Sequence, residues 1–356
     1  MHLKLGFSTN AFDLHLTVHE WVNDGLMAVF FLLVGLEIKR EMLVGELSTP
    51  QRAALPAFAA LGGMLAPAAV CAAFVWSNPD YRPGWAIPAA TDITFALAAL
   101  AFAAPGVPRP VRIFFTALAV IDDLGAILII AFFYTYALVL PMLLAAAGIF
   151  TLLMALNRLR VTNLLPYLVL GVAMWFCVLE SGIHATLAGI ALAFAIPIRG
   201  NALPGGHVNS PLKRLEHAIQ PYVAFGIVPL FALLNAGISF AGVRPDVLAS
   251  LLPLGIIAGL FVGKQAGIFA FSWIAIRLRI GSLPKGTSWT TLYGISVLGG
   301  IGFTMSLFIG GLAFASPELL TQMKIGVLTG SLLSAAAGTV VLRIAARARG
   351  EARAPA

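Results

Sequence analysis

The sequence predicts an all-α polytopic membrane protein of about eleven transmembrane helices. Three observations carry that prediction. Of 356 residues, 60% are hydrophobic and only 10% charged, against about 25% charged in a soluble domain. The mean hydropathy of +0.95 gives a soluble fold more apolar surface than it could hide. Soluble chains also split into domains beyond roughly 250–300 residues, yet no polar linker divides this one.

A bilayer core of about 30 Å needs roughly 20 apolar residues per helix. Runs of that kind lie at 21–38, 54–76, 85–104, 111–134, 138–156 and 163–179, and again at 183–196, 219–236, 251–276, 289–314 and 325–345. The run at 183–196 is short for a span. β-Barrel strands would alternate polar and apolar residues, and these runs do not. Cys71 and Cys177 both fall within apolar stretches and read as buried small side chains, not as a disulfide or a metal site.

Lys and Arg set the orientation. With the loop that carries Lys39, Arg40 and Arg52 in the cytoplasm, 17 of the 22 basic residues fall inside. Lys4, Arg82, Arg244 and Lys324 fall outside, and Lys264 stays within a span. The N-terminus is then external and the C-terminus cytoplasmic. The net charge of +7 is spread over inner loops as insertion requires, and forms no compact patch for nucleic acid.

The expected organisation is an external N-terminal segment at 1–20, a transmembrane domain at 21–346 and a cytoplasmic tail at 347–356. Residues 1–20 lack the basic and apolar regions of a signal peptide. Leu3, Leu5 and Phe7 alternate with polar residues or Gly, as do Leu14, Leu16 and Val18, with Ser8, Thr9 and Asn10 between. A short β-hairpin turning at those three residues fits the pattern; a flexible tail is the alternative.

A carboxylate or ammonium at a span centre costs roughly 2.5–3.5 kcal/mol on insertion scales, so such residues are functional candidates by default. Asp92, Asp122, Asp123 and Lys264 qualify, with helix-packing salt bridges as the bland alternative. Asp122 and Asp123, in LAVIDDLGAILII, sit about 100° apart on a helix. One can face an aqueous funnel while the other turns to a neighbouring helix. Two adjacent carboxylates in low dielectric resist ionising together, so a hard cation can compete with protons for them.

Asp92 follows Pro88 within a Thr91-Asp92-Ile93-Thr94 cluster that would interrupt its span. A second interruption stands at Gly299-Gly300-Ile301-Gly302. Two broken segments in the two halves of a chain point to inverted repeats and a midplane site where the broken helices cross. Broken helices expose dipole ends in the bilayer. Asp92 can compensate N-terminal ends, and Lys264 can compensate carbonyl ends or pair with a carboxylate. The bland reading of the glycines is close helix packing, common in membrane proteins and compatible with the break.

GLEIKRE places Glu37, Arg40 and Glu41 within one turn, and PLKRLEH adds Lys213, Arg214, Glu216 and His217. These read either as solvated loop charge or as a pH-responsive mouth, because His and crowded carboxylates titrate near neutrality. His184, alone near a span end, reads as structural. The chain has no P-loop, no GxGxxG after a strand and no Cys/His ligand spacing, so an ion gradient must supply the energy.

The ordered motifs NDGLMAVFFLLVGLEIKRE, GWAIPAATDITFAL, IDDLGAI, SGIHATLAGI, KRLEH and GIGFTMSLFI resemble the NhaA family of sodium–proton antiporters from about Trp21 onward. This family is itself among the cases from which the broken-helix rule was drawn, so the two share a source. The resemblance implies an electrogenic, pH-regulated exchange of internal Na+ or Li+ for external H+ in a bacterial inner membrane, by a homodimer without cofactor. Asp123 would be the main ion ligand, open to a cytoplasmic funnel, with Asp122 beside it and Lys264 as partner of Asp122. Thr91 and Asp92 would lie at the helix crossing and, with Asp122, Asp123 and Lys264, make up the cation- and proton-binding set. Glu37, Arg40, Glu41, Glu216 and His217 would sense pH.

Two departures stand out. The family reads Gly-Lys-Pro where this chain has Gly263-Lys264-Gln265. The family's first transmembrane helix is also expected before Trp21, and this sequence opens inside what resembles its external dimerisation hairpin. An ion-coupled organic-anion symporter of similar fold is an alternative. An intramembrane aspartyl protease with Asp92 and Asp123 as its dyad is another, although the usual Gly-x-Gly-Asp setting is missing.

Overall fold

The computed structural model describes residues 4–9, 12–135, 138–199, 201–202, 208–238 and 249–351. Arg244 and the tail beyond residue 351, both used in assigning orientation, lie outside these.

The first strands are β1 (Lys4–Thr9) and β2 (Phe12–Thr17), paired antiparallel with Thr9 opposite Phe12. Ser8 and Thr9 are therefore strand residues and not part of the expected turn, because their backbone groups complete the ladder; Leu3 and Asn10 lie outside the described residues. A capping box joins the hairpin to the first helix. The Thr17 hydroxyl accepts from the Glu20 N–H (3.2 Å) and the Glu20 carboxylate accepts from the Thr17 N–H (2.7 Å).

The helices are α1 (Val18–Val44), α2 (Pro50–Val75), α3 (Ile93–Ala103), α4 (Arg109–Phe133), α5 (Leu140–Arg158), α6 (Leu164–Leu179) and α7 (Thr186–Ala195). A two-residue ladder, β3 (Asn201–Ala202) with β4 (Val208–Asn209), precedes the rest. These are α8 (Pro211–Ala236), α9 (Leu251–Arg277), α10 (Trp289–Leu298), α11 (Phe303–Ala313) and α12 (Pro317–Glu351).

Among the described residues, seven helices are long and apolar enough to cross a membrane. Two bent pairs join them. The 3-10 segment Arg82–Ala89 meets α3 at 42°, and α10 meets α11 at 41°. The breaks fall at Ala90-Thr91-Asp92 and at Gly299 to Gly302, where the sequence placed them. The shorter apolar helices α6 and α7 stand at the two remaining expected runs.

Helix ends differ from the expected spans. Helix α1 continues to Val44 and α8 begins at Pro211, so Glu37 to Glu41 and Lys213 to His217 are helical and not loop residues. Charge at a helix end simply ends the apolar run before it ends the helix.

The chain divides into two compact units. Met1–Leu43 with Ile130–Asn235 forms one, and Val44–Ile129 with Ala236–Ala356 the other. The first has a core of Leu36, Leu153, Tyr167, Ala193 and Leu212. Trp21 stacks on Trp175 with ring centroids 6.0 Å apart, and Trp175 donates to the Asp24 carbonyl (2.9 Å). Cys177 in this unit is only half-buried, unlike Cys71 in the second.

In the second unit Val111, Phe115, Leu118, Ile268, Leu292 and Leu298 form the core. Gly255, Gly259, Gly263 and Gly267 recur four apart on α9 and so share one face. That face lies on α2. A Cβ at Gly263 would stand 2.5 Å from Pro67 Cα, and one at Gly267 would stand 2.7 Å from Ala66 Cβ. Only hydrogen fits, so the two backbones approach as closely as small-residue interfaces allow.

Candidate functional site

That close approach brings α9 to the broken helices within the second unit. The Lys264 ammonium donates to Asp122 Oδ2 on α4 (2.5 Å) and to the Ala89 carbonyl (2.7 Å). Lys264 and Asp122 are both 0% exposed. Lys264 thus both pairs with a carboxylate and compensates the carbonyl end of the 3-10 segment. A π turn at Gly259–Gly263 ends immediately before it; such turns are uncommon and concentrate at functional sites.

Asp123 points elsewhere, as its 100° offset requires, yet it interacts electrostatically with Lys264. It is 2% exposed.

Asp92 is 3% exposed and caps two helices at once. Its Oδ1 accepts from the Phe95 N–H in the first turn of α3 (3.1 Å). Its Oδ2 accepts from the Thr304 N–H in the first turn of α11 (3.0 Å) and from the Thr304 hydroxyl. One negative charge therefore meets two positive dipole ends. The breaks are also tied backbone to backbone. The Asp92 N–H donates to the Ile301 carbonyl (2.7 Å), and the Thr91 hydroxyl to that of Gly299 (2.8 Å). Thr91 also borders the Asp122 carboxylate.

Sequence reasoning missed Thr304, Ser306 and Ser331. Ser306 donates to the Ile87 carbonyl (2.8 Å), and the Ser331 hydroxyl accepts from the Gly302 and Phe303 N–H groups (3.2 and 3.1 Å). Hydroxyls just after a glycine-marked break were the available signal for Thr304 and Ser306. Ser331 lies far along α12 and had none. The α9 glycine stripe was missed as well, although its spacing of four was a signal.

The charged cluster belongs to the first unit. Arg40 contacts Glu41 (2.7 Å) and Glu216 (3.1 Å), and Glu37 feels Glu216, Arg40 and Glu41 electrostatically. His217 does not join them. It is exposed, and its Nδ1 donates to the Lys213 carbonyl of its own helix (2.8 Å), because one residue on a helix turns it 100° away from Glu216. Lys213 and Arg214 are exposed as well. Lys39 is not a loop charge either: it is buried and donates to the carbonyls of Phe194 (2.7 Å) and Ile196 (2.5 Å) at the end of α7. His184 Nε2 donates to the Tyr134 carbonyl (2.6 Å).

Comparison with known proteins decides the family. The family model described as Na+/H+ antiporter 1 matches residues 1–342. The chain belongs to this Na+/H+ antiporter family. The match starts at residue 1, so the first twenty residues share the family pattern that the motifs showed only from Trp21.

The Na(+)/H(+) antiporter NhaA 2 of Pseudomonas syringae pv. syringae (strain B728a) is 57% identical over 329 residues, covering 92% of this chain and 83% of that protein. The Na(+)/H(+) antiporter NhaA of Rhodospirillum rubrum is 55% identical, with 92% and 83% covered. That of Bordetella parapertussis is 55% identical, with 96% and 86% covered. As a family member with these apolar helices, the chain is a multi-pass membrane transporter and not an enzyme. The geometry agrees: a protease dyad needs two carboxylates sharing a proton, and Asp92 is committed to two helix ends.

Proposed function

We propose that this antiporter exchanges cytoplasmic Na+ or Li+ for external protons at Asp122 and Asp123, with Lys264 as the exchanging partner. The observation that carries this reading is the fully buried Lys264–Asp122 pair (2.5 Å) with a second carboxylate on the next residue. A buried carboxylate demands a counter-charge. The lysine ammonium supplies it in one state, and a desolvated Na+ can supply it in another. Asp123 adds the second acidic group that a hard cation favours.

Asp92 and Thr91 hold the two breaks in register around this pair. When more protons than sodium ions cross per cycle, transport is electrogenic, and each net charge draws about 2.3 kcal/mol per 100 mV. The setting is the bacterial inner membrane with the C-terminus inside, following the basic-residue skew. Glu37, Arg40, Glu41 and Glu216 form the pH-responsive cluster, with His217 beside it on the exposed face. Two-stranded hairpins are marginal alone, and β1–β2 gains partners if a second copy extends the sheet, which supports a homodimer.

Inside-out vesicles test the proposal. Added Na+ should dissipate an imposed proton gradient, more strongly at alkaline pH. Asp123→Asn should abolish the response, whereas Glu216→Ala should mainly displace its pH profile. Inserted protein that gives no Na+ response would sink the proposal.

A further inference from the structure

Gln265 stands beside Lys264, and no part of the exchange scheme above uses it. Its side chain bridges two elements. The amide Nε2 donates to the Phe261 carbonyl inside the π turn, and the Oε1 accepts from the Tyr293 hydroxyl on α10 (2.6 Å). Tyr293 is held in place by Phe269, one turn beyond Gln265, with ring centroids 5.6 Å apart and planes at 87°. Phe269 also packs edge-on to Trp289 at 6.0 Å. Residues 265 and 269 on α9 therefore meet 289 and 293 on α10 through i, i+4 faces.

The connection is informative because of what lies at each end. The π turn sets the position of Lys264. Helix α10 runs into the break whose Gly299 and Ile301 carbonyls accept from Thr91 and Asp92. The π turn departs from the α-helical hydrogen-bond ladder, and the side-chain donor on the Phe261 carbonyl adds a tie across it. Lys264 cannot leave Asp122 by motion of its own turn without straining the Gln265–Tyr293 link.

We infer that Gln265 and Tyr293 are a pair of positioning residues that hold the Lys264 turn against the second broken helix and so set how readily Na+ displaces the lysine from Asp122. This rests on the exchange reading proposed above. Loosening the strap disfavours the lysine-paired state, so Na+ should compete better.

The experiment measures the apparent KM for Na+ and the maximal rate in vesicles for wild type, Tyr293→Phe, Gln265→Leu and the double variant, with Asp123→Asn as the inactive control. Tyr293→Phe removes one oxygen and leaves the ring contacts. A neutral hydrogen bond of ordinary strength corresponds to about a two- to tenfold effect, so each single variant should lower the KM by that factor. The double should lower it no further than Gln265→Leu alone, since that variant already removes the link to Tyr293 together with the one to Phe261. A wild type without Na+ response would overturn the exchange reading and the strap's role together. A responsive wild type with unchanged KM in both singles, or with effects that multiply in the double, would overturn the strap alone.

Discussion

Breaking the Lys264–Asp122 pair from either side should cost far more than replacing both partners. Both residues are 0% exposed and their charged atoms are 2.5 Å apart, so Lys264→Met leaves a carboxylate in low dielectric with no counter-charge. Removing one partner of a buried pair costs about 3–5 kcal/mol. The Ala89 carbonyl also loses a donor, at about 1–3 kcal/mol. Asp122→Asn strands the ammonium instead, but Asp123 still interacts with Lys264, which puts this variant at the lower end of the range. Neutral side chains at both positions remove both charges, and such replacements in other proteins are often neutral or stabilising.

The two single penalties, about 4–8 kcal/mol for Lys264→Met and about 3 kcal/mol for Asp122→Asn, would sum to roughly 7–11 kcal/mol if independent, whereas Asp122→Asn/Lys264→Met should lose about 3 kcal/mol or less. Melting followed by tryptophan fluorescence in detergent reads the difference, with each kcal/mol worth about 2 °C in a chain of this size. Asp122→Asn should melt about 6 °C and Lys264→Met about 8–16 °C below wild type, with the double above the lower of them. Penalties that add to within about 0.5 kcal/mol would refute the view that the two charges stabilise one another.

Two further outcomes follow from the packing. Asp92→Ala removes one cap from α3 and one from α11, each worth about 1 kcal/mol, and strands the Thr304 hydroxyl; it should melt several degrees low, with Asp92→Asn between it and wild type. Gly263→Ala places a methyl 2.5 Å from Pro67 Cα and should cost about 1–3 kcal/mol by overpacking, lowering both melting temperature and exchange. Gly311→Ala in α11 meets nothing within 4 Å and serves as the control; equal effects at both positions would show that the α2–α9 approach is looser than described.

Composition, apolar run length and intramembrane charge determined the all-helical membrane class, the places of the spans, both helix breaks and the residues Asp92, Asp122, Asp123 and Lys264. These are legible because a bilayer penalises each charged residue and each broken backbone individually, so what survives is visible one position at a time. The tertiary structure decided what those residues touch. Asp92 serves two helix ends because α3 and α11 begin side by side, which pairs residues 212 apart in sequence. Lys39 is buried at the end of α7 and His217 turns outward, because helix phase, and not proximity in the chain, selects which charges meet. The split of Asp122 from Asp123 follows from helix geometry, but its direction does not. Only the glycine-mediated contact of α9 on α2, which carries Lys264 to one carboxylate and leaves its neighbour on another face, resolves that.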